Sequence, residues 1–524
     1  MHTYNTVLDL ENEKDIELLR QVAILLEKEN KRLSTEVVAL TKQLLVAQGK
    51  DKEMLQLRLL QLEQQLAAQN KRLFGQSSEK RPGEKSSEDA ENKTKKPQKG
   101  HGPTAQPKLL ELDVEHSLDE PDKTCSACGG ELKAWEGQYE ETEEVDIIER
   151  RFVLKKHKQK KYRCNCGGCV ETAPGPQKLF AGARYSTNVA IEIAILKYVD
   201  HIPLERTVRI FGREGLAITS QTLWDYIEHV ARLVEPAYDR LRTSLLREPV
   251  VGADETWWRL MGKGNESKRW HVWALSAARG IYFTLEDSRG SKAAEALLCG
   301  YQGTVMCDGY SVYETMAKRF PGLLLAHCWA HVRRKFVDIE TAFPAETAEI
   351  LGLIRELYQI ESQCAPGPDG DTERQRLRHE KSRGVVERIQ QWVYATYPMC
   401  LPESGLAKAI RYMGGMWPGL VRFLDNPRVG LDNNQTERAL RGPVIGRKNY
   451  YGSRSLRGTE VAAIFYSLFE SAKLVGVDPK EYLRTALRAA MNGEVIPLPH
   501  EVALSPPPLA ITGPQTLPID EVTL

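Results

Sequence analysis

Two short apolar runs in the sequence each end on an aspartate: Val250-Val251-Gly252-Ala253-Asp254 and Thr304-Val305-Met306-Cys307-Asp308. Both read as buried β-strands, and a carboxylate at the tip of a buried strand is costly unless something compensates its charge. Two such aspartates on neighbouring strands can share a divalent cation of the hard, oxygen-seeking kind, Mg²⁺ or Mn²⁺, with water and phosphate completing its shell. A third acid from a helix lying across the sheet would complete a two-metal site for displacement at a phosphodiester. Glu437 is the natural third acid, because it opens a helical stretch after Asp432-Asn433-Asn434 and is followed by Arg438 and Arg441. Glu255, Glu314, Asp338 and Asp432 compete for the role. Glu314 and Asp338 come early in the chain, and Asp432 is too close to Glu437 for sequence to separate the two.

A second chemistry is written in the cysteines. Five of the ten crowd between Cys125 and Cys169. Cys125 and Cys128 have the CxxC spacing of a zinc knuckle, and Cys164, Cys166 and Cys169 offer three thiolates for the two remaining positions. Cys166 with Cys169 restores CxxC spacing and completes a tetrahedral four-cysteine Zn²⁺ site, with Cys164 as the alternative ligand to either. Basic residues between the halves (Arg150, Arg151, Lys155, Lys156, Lys158, Lys160, Lys161, Arg163) suit a surface facing DNA. His327 and His331 stand four apart with Cys328 between them. On a helix they would share a face, either to bind a second metal or to orient phosphate alongside Arg333, Arg334 and Lys335. Between Gln435 and Arg457, Arg438, Arg441, Arg447, Lys448, Arg454 and Arg457 stand against the single acid Glu437, the composition of a local phosphate-binding surface.

The elements that must position these residues follow from periodicity. Residues 13–75 read as a coiled coil: Leu19, Leu26, Leu33 and Leu40 repeat every seven residues, beside a seam of Ile16, Ala23, Asn30, Val37 and Leu44. Asn30 falls where a buried amide can set register. The predicted consequence is a homo-oligomer, against the alternative of a helical hairpin bent at Gly49. Residues 76–108, rich in Ser, Lys, Glu, Pro and Gly, make a disordered linker, and 109–178 form the small zinc module. Residues 183–247 are helical, with a helix from Leu204, a break at Gly212–Gly215 and a second helix capped by Thr219 or Ser220. That order suits a helix-turn-helix whose Gln221–His229 helix enters a major groove, or else a plain bundle burying Leu223, Trp224, Ile227 and Val230.

Strands are expected at Pro249–Ala253, Arg269–Ser276, Ile281–Leu285, Thr304–Cys307 and Leu323–Ala326, with a helix at Lys292–Leu298. Three strands, a helix, then two strands separated by a helix is the order of an RNase H-like α/β domain, placed at 248–445 with a helical insertion at about 341–417. A basic C-terminal region (446–492) and a disordered Pro-rich tail (497–524) close the chain.

Over 524 residues, 41% hydrophobic and 27% charged with a net charge of +1, the composition supports several domains and at least one large core. The first dozen residues carry no apolar signal-peptide core, and no run of about 18 apolar residues exists to span a membrane. A cytoplasmic protein with reduced or metal-bound cysteines is the expectation.

At this point the residues resemble a known family. The stretches Leu73-Phe74-Gly75-Gln76-Ser77-Ser78-Glu79-Lys80, the cysteine module, His327-Cys328-Trp329-Ala330-His331-Val332-Arg333-Arg334-Lys335-Phe336, Asp432-Asn433-Asn434-Gln435-Thr436-Glu437-Arg438-Ala439-Leu440-Arg441 and Gly446-Arg447-Lys448-Asn449 are similar, in that order, to motifs of the insertion sequence 66 family of bacterial DDE transposases. The resemblance implies that Asp254, Asp308 and Glu437 carry the acidic triad. It also implies cleavage at the ends of a mobile element and joining of the freed 3′-OH to target DNA, with double-stranded DNA as partner and accessory transposition proteins alongside. Trp257 and Trp258 stand where the family is expected to have smaller residues, which would alter the floor of the site. Two other readings stay open: a nuclease of the same fold without strand transfer, and a DNA-binding regulator with a dead core.

Overall fold

The computed structural model describes residues 152–163, 170–262 and 267–504, together with 32, 123 and 128–131. The expected coiled coil (13–75), the linker (76–108) and Cys125, Cys164, Cys166 and Cys169 therefore lie outside the described residues. Contacts divide the chain into two compact units, Phe74–Arg150 and the rest. The larger unit opens with a small antiparallel pair, β1 (Lys161–Arg163) and β2 (Val170–Thr172). Three helices follow: α1 (Thr187–Tyr198), α2 (Leu204–Arg213) and α3 (Ser220–Leu245). Thr219 caps α3 as its spacing suggests, its hydroxyl accepting the Thr222 N–H at 3.2 Å.

The centre of the unit is a five-stranded mixed sheet in the order β5-β4-β3-β6-β7. Strands β3 (Val250–Met261), β4 (Ser267–Ala277) and β5 (Gly280–Glu286) form an antiparallel meander. Strand β6 (Gly303–Cys307) runs parallel to β3 and β7 (Leu323–His327) parallel to β6, and the crossovers carry α4 (Ser291–Leu298) and α5 (Ser311–Arg319). Every strand expected from the sequence is present, but β3 runs on to Met261 instead of stopping at Ala253. Aromatic and β-branched residues carry it onward: Thr256, Trp257 and Trp258 pair with Val272, His271 and Trp270 of β4.

Beyond β7 come α6 (Trp329–Val337), then α7 (Pro344–Glu361), α8 (Asp371–Leu377), α9 (Arg383–Thr396), α10 (Gly405–Gly415) and the short α11 (Trp417–Leu420). These helices build a core of their own, around Ile354, Leu357, Ile389 and Met413, that continues into Trp329, Val332 and Phe336 of α6. Arg378 lies buried within it. Both Glu361 oxygens accept from Arg378, at 2.6 and 2.8 Å, and two backbone carbonyls accept from its Nη1, which is how a charge survives there.

The chain then returns to the sheet as α12 (Asn434–Tyr450), α13 (Leu456–Leu474), α14 (Pro479–Met491) and α15 (Pro499–Leu504). Two boundaries drawn from sequence need correction here. Residues 446–492, set apart for their basic charge, contain α13, which is apolar nearly all round and buried as the packing partner of β5 and α3. Strand β5 is a sheet edge, and α13 satisfies its backbone: the Phe283 N–H donates to Ser467 Oγ and the Ile281 N–H to Ser471 Oγ, both at 2.8 Å. The tail expected from 497 onward keeps structure to Leu504, because Ile496 and Leu498 enter the main core.

The helical region 183–247 is not a separate domain either. Leu223, Tyr226, Ile227 and Val230 of α3 share one continuous core with the sheet residues Val251, Trp273 and Phe283. Among the described residues no helix is long and apolar enough to cross a membrane.

Candidate active site

Strand β6 accompanies β3 only from Val250 to Gly252 and ends at Cys307. Past Gly252, the edge of β3 on that side has lost its partner strand, and Asp254 lies in this opening. It is therefore a mid-strand residue, not the strand-tip residue its run of apolar neighbours suggests. Asp308 is the first residue after β6, in a tight turn where its Oδ1 accepts the Tyr310 N–H at 3.0 Å. Gly309 between them lies against the helical segment, where a Cβ would come 2.1 Å from Met416 Cε and would push that side chain aside. The helical segment thus buttresses the loop that holds Asp308.

The N-terminus of α12 fills the opening beside β3. Asn433 Nδ2 donates to the Ala253 carbonyl at 2.9 Å, the acceptor next to Asp254. Thr436 Oγ1 donates to Asn433 Oδ1 at 2.6 Å and meets Ser276 Oγ of β4, also at 2.6 Å. Gln435 Nε2 donates to the Ala277 carbonyl. All this is packed over Gly252, where a Cβ would lie 2.2 Å from Thr436 Oγ1 and 2.6 Å from Asn433 Oδ1. Asn433, Gln435 and Thr436 are thus a docking device, and Glu437 is the residue it delivers. Sequence reading took this stretch as a motif without assigning its polar members, although polar side chains just ahead of a helix are the available signal.

The start of α6 is tied to the same segment. The Trp329 N–H donates to the Leu431 carbonyl at 2.9 Å, and the Asn433 N–H points at Cys328 Sγ at 3.4 Å. His331 consequently faces the acid, its Nδ1 3.7 Å from Glu437 Oε1. The two histidines do not share a face: His327 ends β7 and points toward Cys307, while the helix begins only at Trp329.

Asp254 lies in the field of several acids. Burial, and then the charges of Glu255, Asp308 and Glu437, push the Asp254 carboxyl up to about 7, against a bond from the Glu255 N–H that favours its ionised form. Glu437 Oε1 is buried and makes no hydrogen bond. Asp254, strained when ionised, and Glu437, with an unpartnered buried oxygen, are hard oxygen donors of the kind a divalent cation takes.

Two of the competing acids, Glu255 and Asp432, are otherwise engaged. Glu255 points to the opposite face of β3, where Arg289 Nη2 reaches it at 2.7 Å and the Tyr313 hydroxyl donates to it at 3.1 Å. Asp432 Oδ1 accepts the Asn434 N–H in the turn that starts α12. Asp338 caps the end of α6 in solvent, and Glu314 lies on α5.

Of the cations expected to meet phosphate, Arg438, Arg441 and Lys448 are exposed along one face of the helix that carries Glu437. Arg334 and Lys335 are exposed on α6, with Arg333 half-buried. Arg447 is a correction. It is buried, its guanidinium lies 3.6 Å over the Trp257 ring and it donates to the Trp257 carbonyl, so it secures α12 to β3. Arg457 is likewise taken up by Glu228, Glu235 and Glu460. Trp258 does not form a floor for the site, because its ring is in the core and its Nε1 donates to Ser453 Oγ. Of the cysteine module, Cys128 is described as exposed, ahead of Gly129 in the left-handed conformation (φ 72°).

The mixed α/β sheet thus carries Asp254 on β3 and Asp308 just past β6, with Glu437 in the first turn of a helix docked across β3 and exposed cations along that helix. Comparison with known proteins supplies the assignment. The chain matches the model of the IS66 family of transposases over residues 182–461, and the zinc-finger domain of IS66 transposases over 122–167. It belongs to the IS66 transposase family. Its relatives include three uncharacterised proteins of Sinorhizobium fredii (strain NBRC 101917 / NGR234). With y4jD it is 32% identical over 396 residues (72% of this chain, 76% of the relative). With y4hP it is 27% identical over 412 residues (74% of each), and with y4qI 28% over 384 residues (70% of each).

Proposed function

We propose that this chain is a DDE-type transposase of RNase H-like fold that cuts DNA at the ends of its element and joins the freed ends to a target, with Asp254, Asp308 and Glu437 as the catalytic acids. The carrying observation is that Asp254, at the point where β6 leaves β3, lies buried within the field of both Asp308 and Glu437. The sheet order, an antiparallel meander extended by two parallel strands, supports the fold reading.

The three carboxylates would hold Mg²⁺ or Mn²⁺, which would supply positive charge to neutralise phosphate and make the phosphorus more open to attack. Arg438, Arg441 and Lys448, one face of the helix bearing Glu437, carry the backbone phosphates of the bound strand past the acids, with Arg333, Arg334 and Lys335 as a second group. In the first reaction a water oxygen bonds to phosphorus and the bond from phosphorus to the 3′ oxygen breaks, leaving a 3′-OH and a 5′-phosphate. In the second, that 3′-OH bonds to a target phosphorus and displaces the target's own 3′ oxygen. One phosphodiester is exchanged for another, so no energy-rich co-substrate is needed. Cys125, Cys128, Cys166 and Cys169 are the proposed Zn²⁺ ligands, and the 13–75 segment the proposed oligomerisation element.

The test is cleavage of labelled DNA carrying the element's terminal repeats, with Mg²⁺ or Mn²⁺, by wild type and Asp308→Asn, with binding scored separately. Wild type should cut at the ends while the variant binds without cutting. Equal cutting by both removes Asp308 from the triad, and cutting without any joined product leaves a nuclease in place of a transposase.

A further inference from the structure

Three potential metal donors outside the aspartate pair converge on one point. Cys328 Sγ, a ring nitrogen of His331 and a carboxylate oxygen of Glu437 all lie within 4.8 Å of one another. His331 Nδ1 and Glu437 Oε1 are 3.7 Å apart, both buried, and neither makes a hydrogen bond. That separation is too long for a hydrogen bond, yet close to the ~3.4 Å between two ligands at the usual zinc bond lengths on a tetrahedron. The Asn433 N–H points at the Cys328 sulfur at 3.4 Å, and burial pushes the Cys328 thiol up to about 11, so a bound cation has to displace the thiol proton. The donors are held by the ends of two helices that the Trp329–Leu431 bond locks together.

We infer that Cys328, His331 and Glu437 form a binding site for a thiophilic divalent cation of the Zn²⁺ class, distinct from the cysteine module and sharing Glu437 with the hard-metal site. A thiolate, an imidazole and one carboxylate are the soft-to-borderline donors that Zn²⁺ and Co²⁺ accept and Mg²⁺ does not. Binding releases the Cys328 thiol proton to solvent and leaves a fourth position for water. Binding the soft ion engages Glu437 Oε1, so the two cations compete for that acid. The site would make the enzyme sensitive to free zinc. That consequence, though not the site itself, rests on the catalytic role proposed for Glu437.

The decisive experiment titrates Co²⁺ into full-length protein whose cysteine module is already filled with Zn²⁺, and reads the thiolate-to-cobalt charge-transfer absorption. Wild type minus Cys328→Ser isolates the single thiolate at position 328 from any exchange in the module. The expected result is a saturable difference band at one equivalent, with affinity lowered at least about tenfold in His331→Gln. His331 is partly exposed on its helix, and this second variant covers the case in which Cys328→Ser does not fold. Superimposable titrations for wild type and His331→Gln would overturn the site and leave a plain histidine–carboxylate contact. The cleavage assay with Asp308→Asn is independent of this signal, so failure of the soft-metal site and failure of the catalytic reading are told apart.

Discussion

If the acids converge as described, removing one charge should make the metal-free protein more stable. An Asp254 carboxyl that titrates at about 7 in the folded chain and at its ordinary 3.8 when unfolded is strained whenever it is ionised. Because the folded value is the raised one, stability is fully present below the unfolded pKa and is lost as pH rises through 7. The full loss is about 4 kcal/mol, and the part that falls between pH 5 and pH 8 is about 2.5 kcal/mol. Asp254→Asn keeps an oxygen to accept the Glu255 N–H, now 2.8 Å from Asp254 Oδ1, and removes the titration. Thermal unfolding of both proteins, in buffer free of Mg²⁺ and Mn²⁺, should show the variant gaining on wild type as pH rises from 5 to 8, by on the order of 5 °C. Adding Mg²⁺ at pH 8 should then raise the wild-type midpoint more than the variant's. Parallel midpoints across the pH range would refute the reasoning, because Asp254 would then be an ordinary solvated carboxylate with no need of a cation.

Other consequences concern how Glu437 and its helix are held. Asn433→Ala leaves the Ala253 carbonyl without its donor and should cost about 1–3 kcal/mol in urea unfolding, with cleavage falling more steeply than DNA affinity. Gly252→Ala drives a methyl into Thr436 and Asn433 and should destabilise by a similar ~1–3 kcal/mol. Loss of stability without loss of cleavage in that variant would show that the helix end does not place the acid. Arg438→Ala and Arg441→Ala should each reduce the slope of log affinity against log salt by about 0.9 if each arginine meets one phosphate, whereas Arg447→Ala should lower the unfolding midpoint, its guanidinium being committed to Trp257.

Much of the candidate site was legible because its signals are local. An apolar run closed by an acid reports a buried strand with a charge to compensate, and this read correctly at Asp308. The same rule misplaced Asp254, since it cannot see that β3 continues as an aromatic-rich hairpin arm once β6 has departed. Arg438 and Arg447 are equally basic as letters. Only the helix, with its one buried and one exposed face, sends the first to solvent and the second against a tryptophan. His327 and His331 looked like a pair on a helical period, but the helix starts between them. The partner of His331 turned out to be Glu437, over a hundred residues away.

By itself the sequence located the five strands of the sheet, singled out Asp254, Asp308 and Glu437 as candidates, and carried the cysteine spacing and the family, because each depends on residue types at short and regular separations. The tertiary structure decided which acids share a field, which cations face solvent, that the helices before the sheet belong to its core, and that Cys328 and His331 stand beside Glu437. Those outcomes depend on where a returning helix docks. The docking rests on a few polar contacts over one glycine, between segments that the chain alone does not bring together.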